Sequence, residues 1–333
     1  MTNKIAIIDF LNQDMGLKIL FPEADYFILE EEFDRTKLYF KYNISPIVHN
    51  KDVNVYEFIT SDNYDTLLII GPLYDALKKY NNLPKSYSLI TYQKLMDVLA
   101  FINKNNFKNV CFFDNYDYDY DPNIVIEQDN ILTKNVKVFK RYYNKNKPYK
   151  INVNPFPYIT FGHECNLDIL NNFEKNIGSL NNKIPRIFFA GSPVVHIDET
   201  YGIVRNRKEI LLKIMGKINL YIPGYLPNDA FIAEMKNSKY SLDLLGVGDP
   251  NTRTYEILSC GSLILGQRSN LKWDFEEEFC EETIFDNEND LLEKLIRLEN
   301  EEGLYEKCLE QQNKIVRTYM NMYSLRKYII DRL

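Results

Sequence analysis

An arginine and a glutamate lie one helical turn apart in the segment KYSLDLLGVGDPNTRTYEILSCGSLILG, which runs from Lys239 to Gly266. The guanidinium of Arg253 can bind phosphate oxygens through two donors, and the carboxylate of Glu256 can accept both hydroxyls of a ribose. The pattern predicts a strand, a glycine-containing loop, a helix and a second strand. Ligands of open α/β sheets bind where such a strand ends, because loops and helix N-termini converge there.

The loop before this helix supplies further candidate residues for binding the same ligand, which are Gly246, Gly248, Asn251 and Thr252. The two glycines would let the backbone approach a phosphate closely. Asp249-Pro250 suits a helix start, although the carboxylate of Asp249 counts against an anion pocket unless capping turns it away. The alternative for Arg253 and Glu256 is an ion pair on the surface of a helix.

A second strand end carries similar chemistry in FFAGSPVVHIDETYGIVRNRKEIL. Gly191 and Ser192 follow the apolar run, and we expect Arg205 and Lys208 to share one face at the start of the next helix. A positive helix start is electrostatically unfavourable unless an anion lies there, although a solvated basic helix end is the alternative. His196 is a further candidate contact to sugar or phosphate. Two such strand ends in one domain favour a bound diphosphate.

The elements that must position these residues alternate along the chain. Apolar runs such as KIAIID, DTLLIIGPL and KNVCFFDN predict buried strands, and SLITYQKLMDVLAFINKNN predicts an amphipathic helix. Strands that alternate with helices predict an α/β protein with mainly parallel sheets. At 333 residues, two domains are expected. The expected boundaries are 1–155, 156–312 and a C-terminal helix over 313–333 that packs back on the first domain.

Composition excludes several classes of protein. The net charge of −7 is unlike that of a duplex nucleic-acid binder, and no apolar stretch is long enough to span a bilayer. The five cysteines form no CxxC pair, which predicts free thiols in a reducing compartment and a cytoplasmic protein. The three histidines are dispersed, so no metal site is expected. The acidic run at Asp117, Asp119 and Asp121 is interpreted as an exposed loop, with a cation site as the alternative.

The segment from Tyr221 to Gln267, with its strand, short glycine-rich loop, R-x-x-E helix and following CG-x-L-I, resembles the donor-binding half of GT-B glycosyltransferases. It is most similar to the capsule-associated and spore-coat-type members. FFAGS followed by R-x-x-K resembles the first strand and helix of the same domain. The resemblance covers about Phe188 to Gln267, and it implies two Rossmann-like domains that face a cleft. It also implies a UDP- or GDP-sugar donor, a glycan acceptor and no obligatory metal or other cofactor.

The resemblance assigns Arg253 and Glu256 to the nucleotide, with Glu256 on the ribose, and Arg205 and Lys208 to the diphosphate. Many retaining members show E-x7-E across this region, whereas Gly248 stands eight residues before Glu256 here. Inversion is therefore favoured, and inversion needs a base that deprotonates the acceptor hydroxyl. The candidates follow strands of the first domain. They are Asp9, the first choice, together with Asp75 and Asp114; each is otherwise a helix cap or turn carboxylate.

Two other functions stay open from the sequence. A sugar-nucleotide epimerase of the same fold would use UDP-sugar without an acceptor, but its compact set of carboxylates and histidines is not evident. A non-catalytic nucleotide-sugar-binding protein would keep the fold and the donor site alone.

Overall fold

The computed structural model describes residues 4–10, 16–29, 36–71, 89–114, 136–140, 143–144, 146–149, 152–155, 183–193, 195–198, 203–245, 252–268 and 279–333. The chain divides into two compact units. Unit 1 comprises Met1–Gly162 and Leu325–Leu333, and unit 2 comprises His163–Ser324. This division differs from the boundaries expected from the sequence, since the C-terminal crossing lies at residue 325 and not at 313.

Unit 1 contains a parallel sheet of seven strands in the order β3-β2-β1-β4-β5-β6-β7. The strands are β1 (Ile5–Asp9), β2 (Asp25–Ile28), β3 (Ile47–Val48), β4 (Thr66–Ile70), β5 (Asn109–Asp114), β6 (Val136–Lys140) and β7 (Asn152–Pro155). Strands β1, β4 and β5 are nearly continuous apolar runs, as is typical of sheets that are covered on both faces.

The helices of unit 1 are α1 (Gly16–Leu20), α2 (Thr36–Tyr42), α3 (Val55–Phe58) and α4 (Leu89–Lys104). Helix α4 is the amphipathic helix predicted from the sequence, and it buries Leu95, Leu99 and Ile102. The C-terminal residues complete the unit. Arg326 forms an ion pair with Glu23 at 2.6 Å, and the hydroxyl of Tyr328 donates to the carbonyl of Pro155 at 2.6 Å.

Unit 2 contains a second parallel sheet, in the order β11-β8-β12-β13-β14, and a separate antiparallel pair of β9 and β10. The strands are β8 (Ile184–Phe188), β9 (Val195–Asp198), β10 (Ile203–Asn206), β11 (Leu220–Tyr221), β12 (Ser238–Asp243), β13 (Leu263–Gln267) and β14 (Ile284–Phe285). Its described helices are α5 (Arg207–Ile214), α6 (Asn228–Asn237), α7 (Thr252–Cys260), α8 (Glu288–Asn300) and α9 (Leu304–Tyr319). Helix α10 (Met322–Ile330) begins in unit 2 and continues into unit 1.

One predicted helix is wrong at its start. The segment GIVRNRKEILLKIM forms strand β10 before helix α5, so Arg205 lies on a strand and not on the first turn of a helix. The β-branched Ile203 and Val204 favour the extended conformation, and β9 supplies an antiparallel partner. Arg205 and Lys208 therefore do not share a helix face.

Helix α7 ends where the sequence predicts. Gly261 follows its last residue with φ +70°, a left-handed conformation that glycine adopts without steric cost and that commonly terminates a helix. The chain then enters β13 directly, beside β12. The short turn places α7 between two neighbouring parallel strands, with its N-terminus at their carboxyl edge.

Candidate functional site

The carboxyl edge of the second sheet gathers residues from three neighbouring strands. Strand β12 lies between β8 and β13, with Ser241 opposite Phe188 and Asp243 opposite Gly266. Chain segments leaving parallel strands at this edge lie close together, and this is the usual binding edge of open α/β sheets. We therefore take the segments after β8 and β12, with the first turns of α7, as the candidate site.

Arg253 extends from the first turn of α7 to the end of β8. A Cβ atom added at Gly191 would lie only 2.7 Å from Cζ of Arg253, a separation that real Cβ atoms do not show. The same guanidinium lies 5.4 Å from the ring centroid of the buried Phe189, which is within the range of a cation–π contact. The structure thus brings together Gly191 and Arg253, which are 62 residues apart in the sequence.

Glu256 lies one turn after Arg253 on α7 and is partly buried. Burial raises the pKa of its carboxyl to about 7; the nearby Asp243 adds to this shift, and Arg253 opposes it. A carboxyl that titrates near neutral pH inside a ligand-binding edge is typical of a functional site.

Asp243, the last residue of β12, is a site residue that the sequence analysis did not select. The hydroxyl of Thr254 donates to its Oδ2 at 2.5 Å, and its Oδ1 is shielded from solvent. Burial raises the pKa of this carboxyl above its ordinary value, although Arg253, Thr254 and Arg207 all oppose the shift. The signal was present in the sequence, since Asp243, like Asp9, stands near the end of a predicted strand.

Arg207 and Gln267 hold the backbone just after β12. Arg207, the first residue of α5, donates from Nε to the carbonyl of Leu245 at 3.0 Å. The side chain of Gln267, at the end of β13, accepts from the amide of Leu245 at 3.1 Å. Both backbone groups of Leu245 are therefore bound by side chains from neighbouring elements, which fixes the direction in which the chain leaves β12.

The remaining candidates of unit 2 are less closely associated. Ser192 and Lys208 are exposed, and Thr252 is the first residue of α7. Arg205 and His196 lie opposite each other in the antiparallel β9–β10 pair. Gly246, Gly248 and Asn251 lie outside the described residues.

The carboxyl edge of the first sheet carries two of the three candidate bases. Asp9 ends β1, is 1% exposed, and accepts a hydrogen bond from the hydroxyl of Tyr26 at 2.8 Å. Asp114 ends β5 and forms an ion pair with Lys140 of β6 at 3.0 Å, with both side chains fully buried. The sequence analysis did not identify Lys140. Asp75 and the acidic run at 117–121 lie outside the described residues.

The described residues contain neither a metal-ligand cluster nor a membrane-spanning helix. They contain no cluster of three or more histidine, cysteine or acidic side chains that could hold a metal ion. No helix among them is both long and apolar enough to cross a membrane. Cys111, Cys260, Cys280 and Cys308 are free thiols.

Comparison with protein families identifies the second unit. Residues 186–326 match the family model described as glycosyl transferase-like. This range includes β8, α7 and every site residue of unit 2 discussed above. No curated protein sequence matches the chain significantly.

Several solved structures are similar over nearly the whole chain. A glycosyltransferase from Rickettsia africae has a TM-score of 0.57 at 13% identity, covering 99% of this chain and 97% of that one. A UDP-forming trehalose-phosphate synthase from Burkholderia xenovorans has a TM-score of 0.51 at 9% identity, covering 99% and 98%. The T4 phage BGT in complex with its UDP-glucose substrate has a TM-score of 0.50 at 14% identity, covering 99% of both chains.

The structural similarities establish the GT-B fold, and the family match extends over the strands and helices that build the candidate site. Both agree with the resemblance found in the sequence around Arg253 and Glu256. The chain therefore has the GT-B fold, and its residues 186–326 match a glycosyl transferase-like family.

Proposed function

We propose that the protein transfers a sugar from a nucleoside-diphosphate sugar, a UDP- or GDP-sugar, to a hydroxyl of a glycan or other acceptor, with inversion and without a metal ion. Unit 2 binds the donor and unit 1 supplies the catalytic base. UDP-sugars are the first donors to test, because a UDP-forming synthase and a UDP-glucose complex are among the proteins that share the fold.

The observation that carries this proposal is the close approach of Arg253 to Gly191. Because glycine has no side chain, the guanidinium and the nearby backbone amides can bind the same anion. The N-terminus of α7 lies at the same edge and adds its partial positive charge. Together they suit a diphosphate, whose negative charge increases as the glycosidic bond breaks, so they stabilise the leaving group in the transition state.

Glu256 suits the ribose of the same nucleotide. Once ionised, its carboxylate accepts hydrogen bonds from two neighbouring hydroxyls, and its place one turn beyond Arg253 separates ribose from phosphate along the helix. The raised pKa values of Glu256 and Asp243 lessen the negative charge that these groups carry at a given pH.

Asp9 is the preferred base of unit 1. Its partner Tyr26 is a neutral hydroxyl, whereas Asp114 is in contact with the ammonium group of Lys140. The Asp114 carboxylate is thus already in contact with a buried cation. Asp75 is tested beside them because it follows β4, the neighbour of β1 in the sheet.

A donor screen followed by a transfer assay tests this function. A UDP- or GDP-sugar should raise the melting temperature by mass action, whereas CMP-sugars should not. Transfer to glycan arrays should then persist in excess EDTA. Activity that is lost in EDTA and restored by Mn²⁺ would contradict the metal-independent mechanism. Binding without turnover on any acceptor would indicate a non-catalytic protein, and inversion at C2 of free UDP-sugar would indicate an epimerase.

A further inference from the structure

Unit 2 contains a cavity of about 320 Å³ at the opposite end of the sheet from the donor site. It lies between β8, the turn that precedes β11, and helix α8. Its apolar lining comes from Pro185, Ile187, Ile218, Leu292, Leu295 and Ile296. Tyr240 also lines it and lies three residues before Asp243 on β12, which places the cavity roughly 10 Å from the candidate donor site along the strand.

The hydroxyl of Tyr240 is the feature that points to a ligand. Tyr240 is 2% exposed, and its hydroxyl makes no hydrogen bond of normal geometry with the described residues. Glu299 lies near it, but both carboxylate oxygens of Glu299 accept hydrogen bonds from Nζ of Lys239, at 3.0 and 3.1 Å. A buried hydroxyl that makes no hydrogen bond of normal geometry is unfavourable, and an acceptor on a ligand in the cavity would relieve that cost.

Helix α8 presents an apolar side chain to the same cavity. The residues of this helix that line the cavity recur at helical spacing, and they are Leu292, Leu295, Ile296 and Glu299. Leu295 is 8% exposed, as expected for a core residue, but Ile296 is 61% exposed although it lines the cavity. A ligand in contact with Ile296 would remove apolar surface from water, which is favourable.

The chemistry of the lining selects the kind of ligand. Burial and the nearby Glu299 carboxylate raise the pKa of the Tyr240 hydroxyl above its ordinary value, so this hydroxyl stays protonated and is available as a donor. Among the charged side chains of the lining, Arg186 is paired with Glu234, Glu299 is paired with Lys239, and Lys217 is exposed to solvent. We propose that this cavity binds an uncharged, mainly apolar small molecule that carries one hydrogen-bond acceptor, and that the acceptor bonds to Tyr240. The proposal does not depend on the identity of the sugar donor.

Two probes of the same shape test the proposal. Acetophenone carries a carbonyl acceptor, and α-methylstyrene replaces that oxygen with a methylene group. Binding of each to the full chain is measured by ligand-observed NMR titration. Both should bind, with acetophenone tighter by about threefold to tenfold, which is the usual contribution of one hydrogen bond.

Three variants locate the site. Tyr240→Phe should remove the preference for acetophenone and leave α-methylstyrene binding unchanged. Ile296→Trp should abolish binding of both probes by filling the mouth of the cavity, while circular dichroism shows the fold intact. Tyr305→Phe is the matched control, since the hydroxyl of Tyr305 already bonds to the carbonyl of Lys239 at 3.3 Å.

Three results would overturn the proposal. The first is that neither probe saturates the wild-type chain up to its solubility limit. The second is that both probes bind the Ile296→Trp variant as well as they bind the wild type. The third is a preference for acetophenone that survives Tyr240→Phe.

Discussion

The carboxyl edges of the two sheets hold buried acidic groups in different ways. In unit 1, Asp114 is in direct contact with Lys140, and both side chains are sealed from solvent. In unit 2, Glu256 and Asp243 lie near Arg253, yet burial still raises the pKa of both carboxyls. The first arrangement is a closed ion pair. The second is a site whose charge changes near neutral pH.

This difference indicates how the work is divided between the units. A buried carboxylate that is already in contact with a buried lysine has little capacity to bind an additional charge. An arginine placed against a glycine backbone, with an adjacent carboxyl that titrates near neutrality, can respond to a charged ligand. We therefore propose the second edge as the donor site. At the first edge, Asp9 stays the proposed base because it ends the inner strand β1.

The largest expected effect comes from removing the base. Asp9→Asn should lower the rate of transfer by about 10²- to 10⁴-fold, the usual contribution of a general base. Donor affinity should stay within about twofold, because a lost base affects the transition state and not ground-state binding. Rates come from nucleoside-diphosphate release, and affinities from calorimetry. Retained turnover would move the base to Asp75 or Asp114, tested by the same substitution.

Breaking the closed pair should affect stability. Lys140→Met leaves the Asp114 carboxylate buried without its cation, which should cost about 3–5 kcal/mol in the free energy of unfolding. The double variant Lys140→Met with Asp114→Leu should recover most of that loss, since an apolar pair needs no compensation. Urea titration measures both. A double variant as unstable as the single one would show that the pair does more than balance charge.

A methyl group at Gly191 should disturb the donor site. Gly191→Ala forces the guanidinium of Arg253 away from β8, because the added Cβ has no space beside it. Donor affinity should fall by about tenfold or more, as charge-assisted hydrogen bonds to phosphate are lost. Gly266→Ala is the control, since its Cβ would meet Ile284 at 3.4 Å, an ordinary contact. Equal donor affinity in the two variants would contradict this role of Gly191.

The smallest expected effect is a dependence of donor binding on pH. With a pKa of about 7, Glu256 is mostly protonated at pH 6 and mostly ionised at pH 8. If the ribose requires the carboxylate, affinity should rise about tenfold between these pH values. Glu256→Gln should bind more weakly at pH 8 and show a flat profile. A wild-type profile that is also flat would separate Glu256 from the ribose.

The same carboxyl should reduce stability as the pH rises. Its folded pKa lies above the ordinary value of 4.5, so the folded chain holds this proton more tightly than the unfolded chain does. The proton on Glu256 therefore stabilises the folded chain fully below pH 4.5, and this stabilisation is lost as the pH rises through about 7. The difference between wild type and Glu256→Gln in urea titrations isolates this term from other titrating groups.

Local signals made part of this molecule predictable. Long apolar runs separated by glycine predicted the two parallel sheets, and strand-end reasoning predicted that the segments carrying Gly191 and Arg253 meet. Arg205 was placed on the wrong element because a basic, helix-like pattern concealed the strand preference of Ile203 and Val204, and only pairing with β9 decided between them.

Other features depend on tertiary packing and could not be derived from spacing. The pKa of Glu256 follows from burial by surrounding elements, and the bonds that hold Leu245 join three segments far apart in the sequence. Lys140 was missed because a lysine at the end of an apolar strand gives no sign that Asp114 of the neighbouring strand will face it.

Calorimetric titration of the best UDP- or GDP-sugar into the wild type and the Arg253→Ala variant tests the central claim most directly. Arg297→Ala, on the exposed side of α8, is the matched control. Arg253→Ala should lose about 1.5–3 kcal/mol of donor binding free energy with its fold intact, while the control should bind as the wild type does. Unchanged donor affinity in Arg253→Ala would contradict the assignment of the donor site to the carboxyl edge of the second sheet.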